Sequence, residues 1–118
     1  MTINSFEQLE VWKLAHTLTL NVYKKTRELP DEERYGLISQ MRRSAVSVSA
    51  NIAEGFKRRG NKDKIRFYNI AQGSLEELRY YFILCGDLGY LQIDNQDLSK
   101  LQSIGKMLNR LCTVVKNN

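Results

Sequence analysis

The residues able to do chemistry are few in this chain. Its one histidine, His16, falls on a helical stripe with Trp12 and Tyr23, and no relay partner stands at helical spacing to make it a base. It is read as a packed or hydrogen-bonded side chain. Cys85 and Cys112 occupy core-like positions with no CxxC pair beside them. A zinc site therefore lacks ligands, and both cysteines are read as buried free thiols. A di-iron bundle needs a Glu-x-x-His pair on each of two helices, which one histidine cannot supply. The neighbouring pairs Glu32-Glu33 and Glu76-Glu77 would point about 100° apart on a helix, which suits solvation or ion pairing better than a shared acid and base. No glycine-rich phosphate loop of the P-loop or dinucleotide type occurs. The expectation is a protein without catalytic residues, metal or cofactor.

Two polar features remain. Lys57, Arg58, Arg59, Lys62, Lys64 and Arg66 put six basic residues within ten, against the single acid Asp63. Such a run straddling a helix-helix turn fans its side chains from one end of a bundle, where they can neutralise phosphates, with Arg42 and Arg43 as further candidates. The same run also suits a plainer role, serving the negative C-terminal end of the preceding helix and keeping the chain soluble. No base-reading motif accompanies it, so nucleic-acid binding would be led by the backbone and weakly sequence-specific. The second feature is a straight polar stripe, Gln40, Arg43, Ser47, Asn51 and Glu54, about 130° from the apolar stripe of the same helix. It is either a solvated face or a hydrogen-bonded network against a neighbouring helix, where Val46, Ala50 and Ala53 allow close approach.

The elements that carry these residues follow from the rest of the sequence. The chain has 118 residues, one proline, seven glycines, 42% hydrophobic and 26% charged residues, which describes one globular domain built from a few long elements. Ser5 with Gln8 matches a capping box, and behind it Leu9, Trp12, His16, Thr19 and Tyr23 form one stripe while Val11, Leu14, Leu18 and Val22 form another. The first helix thus carries two apolar faces. Leu29-Pro30 ends it, and Asp31-Glu32-Glu33 stand at the positive end of a second helix with Ile38, Met41, Ala45, Val48, Ile52 and Phe56 on its core face. A third carries Ile65, Tyr68, Ala71, Leu75, Leu78 and Phe82 and closes at Gly89, while a fourth, capped by Asp94, carries Leu98, Leu101, Ile104, Leu108, Leu111, Cys112 and Val115. The third helix also holds six consecutive apolar residues, Tyr80 to Cys85, more than one bundle face can bury. The prediction is an all-α, up-down-up-down four-helix bundle in one domain, residues 1–118, with helices over about 5–28, 31–58, 62–88 and 95–116. Its surplus apolar surface points to a closed homo-oligomeric ring.

The net charge is +5 with a pI near 9.3, which permits attraction to nucleic acid or another anionic surface. The uncharged stretch Ser44 to Ala53 is ten residues long, too short to span a membrane. Glu7 and Glu10 stand where a signal peptide would be basic and then apolar, so a cytoplasmic location is expected.

Several segments carry a resemblance to a known family. They are Phe6-Glu7-Gln8-Leu9-Glu10-Val11-Trp12; Leu29-Pro30 with Glu33 and Tyr35-Gly36-Leu37; Gln40-Met41-Arg42-Arg43-Ser44-Ala45; Asn51-Ile52-Ala53-Glu54-Gly55; Ala71-Gln72-Gly73-Ser74 with Glu77-Leu78; and Leu88-Gly89-Tyr90-Leu91. Together they resemble the bacterial four-helix-bundle proteins encoded in intervening sequences of 23S rRNA genes, a family that includes relatives of the accessory variability protein of diversity-generating retroelements. The resemblance implies a four-helix protomer in a homopentameric barrel with no assigned enzymatic activity. In the retroelement relative, basic surfaces bind nucleic acid and the reverse transcriptase. The expected function is a non-catalytic homo-oligomer that binds RNA or DNA by its phosphates as an accessory or adaptor. The competing expectation is a protein-interaction scaffold that binds no nucleic acid.

Overall fold

The computed structural model describes residues 2–118. Four α-helices carry the fold: α1 (Glu10–Thr26), α2 (Leu37–Lys57), α3 (Asn61–Asp87) and α4 (Asn95–Lys116), with no strand among the described residues. Side-chain registers fix their directions. Thr19 meets Ser49 while Arg42 meets Thr26, Ser47 meets Ser74, Gln72 meets Asn109, and Lys25 meets Asp97. Each neighbouring pair is therefore antiparallel, giving the up-down-up-down order, and none of the helices is long and apolar enough to cross a membrane.

The helix ends differ from the sequence expectation in instructive ways. Gln8 Oε1 accepts the backbone N–H groups of Asn4 (2.6 Å) and Ser5 (3.3 Å), but the element it closes is only a 3-10 turn, Phe6–Gln8. Leu9 is extended, and α1 begins one residue later. The Phe6 ring turns back edge-on against Trp12 at 5.0 Å. At its other end α1 stops at Thr26, whose hydroxyl donates to Val22 O at 2.8 Å. Asp31–Glu33 form a separate 3-10 turn after Pro30 and are not the first turn of α2. Glu33 still serves that helix, because its carboxylate accepts the Leu37 N–H at 3.2 Å and the Tyr90 hydroxyl at 3.0 Å. A side-chain acceptor at a helix N-terminus satisfies one of its orphan donors and complements the dipole.

The remaining caps agree with the sequence. Gly89 has φ 77°, the left-handed conformation that glycine adopts at no steric cost, and Tyr90 N donates to Cys85 O (3.0 Å) while Gly89 N donates to Gly86 O (3.1 Å). This is the double bond of a Schellman ending. Asp94 accepts from Asp97 N at 2.8 Å and Asp97 returns the contact to Asp94 N at 3.2 Å. The bond from the Asp97 N–H, first among the causes, holds the Asp94 carboxyl below its usual range.

The core is the set of 3/4-spaced residues from all four helices, with Val11, Ala15, Leu18 and Val22 facing Met41, Ala45, Val48, Ile52, Leu75, Leu78, Phe82 and Leu108. Several expected core residues lie at its margin: Ile38, Phe56, Ile65, Leu98, Leu111, Cys112 and Val115 are half-buried, and only Cys85 of the two free thiols is fully enclosed. On α1 a single face is buried. Leu14, His16 and Tyr23 are exposed, His16 lying flat against Trp12 at 4.9 Å. The run Tyr80–Cys85 divides in the same way, because Phe82 and Cys85 reach the core while Tyr80 is 56% and Ile83 38% exposed. A helix presents only about a third of its circumference to one bundle.

Closest approach occurs where α2 meets α3. A Cβ on Gly55 would stand 2.6 Å from Tyr68 Cε1 and 3.2 Å from Phe67 Cβ. Tyr68 is itself 1% exposed, and burial first, then the nearness of Cys112, pushes its phenol up to about 12. Gly55→Ala is therefore expected to destabilise the fold by about 1–2 kcal/mol in urea unfolding, overpacking outweighing the helix propensity gained.

Candidate nucleic-acid interface

The basic cluster surrounds the bend between α2 and α3, and its six cations do not share one fate. Lys64, in the first turn of α3, reaches back to the last carbonyls of α2, donating to Phe56 O at 2.6 Å and Gly55 O at 3.3 Å. Its ammonium also lies 5.4 Å from the Phe56 ring centre, and desolvation lowers its pKa. This is the helix-end role, filled by one residue of the six. Arg58 pairs with Glu54 at 2.9 Å and approaches Asp63 at 3.9 Å, while Arg66 grips Asp63 at 3.0 and 3.1 Å. Both guanidiniums stack on Phe67, at 4.6 and 4.4 Å from its centre. Lys57, Arg59 and Lys62 are exposed and make no ion pair with a described residue. Lys64 and Arg58 thus brace the bend, Arg66 is paired within α3, and Lys57, Arg59 and Lys62 face outward.

Arg42 and Arg43 stand apart from this cluster. At 1.5 Å per residue the fourteen positions from Arg43 to Lys57 along α2 span about 21 Å. Arg42 is committed, donating from Nε to Thr26 Oγ1 (2.9 Å) and from Nη2 to Tyr23 O (3.3 Å), which closes the C-terminal end of α1. Arg43 is exposed and forms no ion pair with a described residue.

The polar stripe is split between the two roles open to it. Ser47 and Asn51 are half-buried: Asn51 Nδ2 donates to Ser47 O (2.8 Å) and Oγ (3.0 Å), and Ser47 Oγ shares a 2.7 Å hydrogen bond with Ser74 Oγ. Gln40, Arg43 and Glu54 are exposed, and Glu54 turns to Arg58 instead of Arg43. The α2–α3 contact also recruits residues that the stripe did not include, with Ser44 Oγ donating to Glu77. Glu77 also acts on Tyr81, whose pKa is raised first by burial and then by the Glu77 carboxylate. On the α1–α2 side, Thr19 Oγ1 lies 2.9 Å from Ser49 Oγ and 3.1 Å from Ala45 O. The signal for these was small polar residues at core spacing, Ser44, Ser49 and Ser74, each opposite a hydroxyl or carboxylate.

Comparison with known proteins now bears on the whole arrangement. The model of the 23S rRNA-intervening sequence proteins matches residues 7–110. The chain belongs to this family. The fold of this intervening sequence protein is also that of a crystal structure of a protein of unknown function from the S23 ribosomal protein family of Bacteroides thetaiotaomicron VPI-5482. The two align with a TM-score of 0.73 and 22% identity, over 86% of this chain and 97% of the other. No curated protein matches the sequence. The matched segment of the intervening sequence protein includes the whole basic bend and the polar stripe, so the features singled out above lie within the family region.

Proposed function

We propose that this intervening sequence protein is a non-catalytic homo-oligomeric adaptor that binds RNA or DNA through backbone phosphates. The observation that carries the reading is the division of labour at the α2–α3 bend. Arg58 and Lys64 are spent on holding its shape, Arg66 is paired with Asp63 on α3, and Lys57, Arg59 and Lys62 project from it without internal partners. Cations on a braced turn meet phosphates with less ordering cost than cations on a loose one. Self-assembly is supported by large apolar residues left outside the protomer core, Leu14 and Leu20 on α1 and Tyr80 and Ile83 on α3. A closed ring would cover such residues and repeat the three cations once per subunit, so that weak single contacts add as avidity.

Filter binding to mixed-sequence RNA and DNA tests the phosphate-led part. If one protomer engages three phosphates of a duplex, affinity falls about 40-fold between roughly 50 and 200 mM salt, and more steeply if several subunits engage. Flat or absent binding rejects the reading. Light scattering in the same buffer tests the assembly, and a stable monomer at micromolar concentration rejects that part. A protein-interaction scaffold is the second reading, favoured by the same exposed apolar residues. It requires no retention of nucleic acid and a defined protein partner, a reverse transcriptase being one candidate, that survives nuclease treatment.

A further inference from the structure

At the end of α2 away from the basic bend, a cleft of about 960 Å³ lies between the last turn of α1, the connection from Leu29 to Tyr35, and the first half of α2. Four guanidiniums line it, from Arg27, Arg34, Arg42 and Arg43, against one carboxylate, Asp31. Arg42 is a fixed part of the wall, bonded to Thr26 and to Tyr23 O and lying 4.6 Å over the Tyr23 ring. Arg27, Arg34 and Arg43 form no ion pair with a described residue. Beside them stands Tyr35, 88% exposed, the most open of the large hydrophobic side chains among the described residues.

Each part has a consequence for the ligand. An excess of guanidinium over carboxylate selects an anion, and planar guanidiniums suit phosphate oxygens. Tyr35 contributes almost nothing to the core, so its ring faces are free for an outside partner. A flat aromatic face next to an array of cations is the combination that holds unpaired bases with their phosphates. An acidic peptide would use the guanidiniums and leave the ring without a counterpart. A duplex would use them too, but its bases are already stacked on one another and offer Tyr35 nothing.

We infer that this cleft binds a single-stranded segment of RNA or DNA, with an unpaired base stacked on Tyr35 and flanking phosphates held by Arg27, Arg34 and Arg43. The inference rests on the nucleic-acid reading above and adds to it a second contact surface with a preference for unpaired strands. It also gives Arg43 a role that its distance from the bend denies it there.

The test is fluorescence anisotropy of the full chain with a labelled oligonucleotide of about 12 nucleotides, single-stranded or annealed to its complement. The expected result is tighter binding of the single strand, and a loss of about 5- to 150-fold for that strand alone in Tyr35→Ala. Tyr35→Trp should retain single-strand affinity, and the exposure of residue 35 keeps both variants folded. Arg34→Gln with Arg43→Gln should weaken the single strand more than the duplex. Equal affinity for the two forms, or a Tyr35→Ala variant that binds both as the parent does, overturns the inference and leaves the phosphate-led reading standing. A mononucleotide that competes as well as the oligonucleotide overturns the strand assignment. A parent protein that binds neither form overturns both readings.

Discussion

Replacing Lys57, Arg59 and Lys62 together by glutamate is expected to weaken binding of duplex nucleic acid by more than about tenfold near physiological salt, with the fold intact. All three side chains are exposed and without ion pairs among the described residues, so each substitution should change stability by no more than about 0.5 kcal/mol. The loss at the interface is far larger. Three phosphate contacts account for a log-log salt slope of about −2.7 on duplex, and reversal adds repulsion to the contacts removed. The measurement is filter binding from low to high salt beside circular dichroism. Unchanged affinity and slope in a folded variant would move the phosphate surface elsewhere on the molecule. The same substitutions at Arg58 or Lys64 would be a poor test, because those side chains hold Glu54 and the carbonyls of Gly55 and Phe56.

The second large effect is on stability. Phe82 is 1% exposed in the core, and Phe82→Ala is expected to cost about 3–5 kcal/mol through lost transfer energy and the cavity left behind. That is a large share of the roughly 5–15 kcal/mol that holds a typical domain together. Its neighbour Ile83 is 38% exposed, and Ile83→Ala should cost the protomer less, about 1–2 kcal/mol, since over a third of the residue stays in water on folding. Urea unfolding measures both. If subunits associate through this face, the Ile83 variant should also lower the apparent stability in a concentration-dependent way. Similar costs for the two variants at all concentrations would contradict the division of the Tyr80–Cys85 run into an inward and an outward half.

Helix number, order and most of the core were legible because apolar residues at spacings of three and four survive any choice of crossing angle. Ala71, Leu75, Leu78 and Phe82 are buried as that spacing requires. Caps written by one residue type were legible too, as at Gly89 and Asp94. Less legible were features that depend on how one helix lies on another. Ser5 and Gln8 have the right types for a helix start, yet Phe6 meets Trp12 and the chain makes a 3-10 turn first. The density of charge between Lys57 and Arg66 was plain, whereas its use was not. Which cation turns back to Gly55 and Phe56 is decided by the geometry of the bend. Arg42 could be assigned only once Thr26 and Tyr23 were known to lie beside it. Tyr35, before a glycine and outside every stripe, carries no periodic signal, so its exposure beside four arginines emerges only in three dimensions.

One end of this bundle is clasped and the other is not. Glu33 joins the start of α2 to Tyr90 in the α3–α4 connection, and Lys25 reaches Asp97 at the start of α4. From Asn109 onward α4 has no fully buried residue, and α1 and α4 touch less than the other neighbouring helices. Opening is therefore graded: the last turns of α4 can detach while the clasped end and the centre of α2 stay closed, a partial unfolding far less costly than the global one. The antiparallel order brings that loosest leg to the same end as the α2–α3 bend. The outward cations stand on a braced turn beside a yielding helix, which gives their surroundings room to conform to irregular backbone shapes without the core being disturbed.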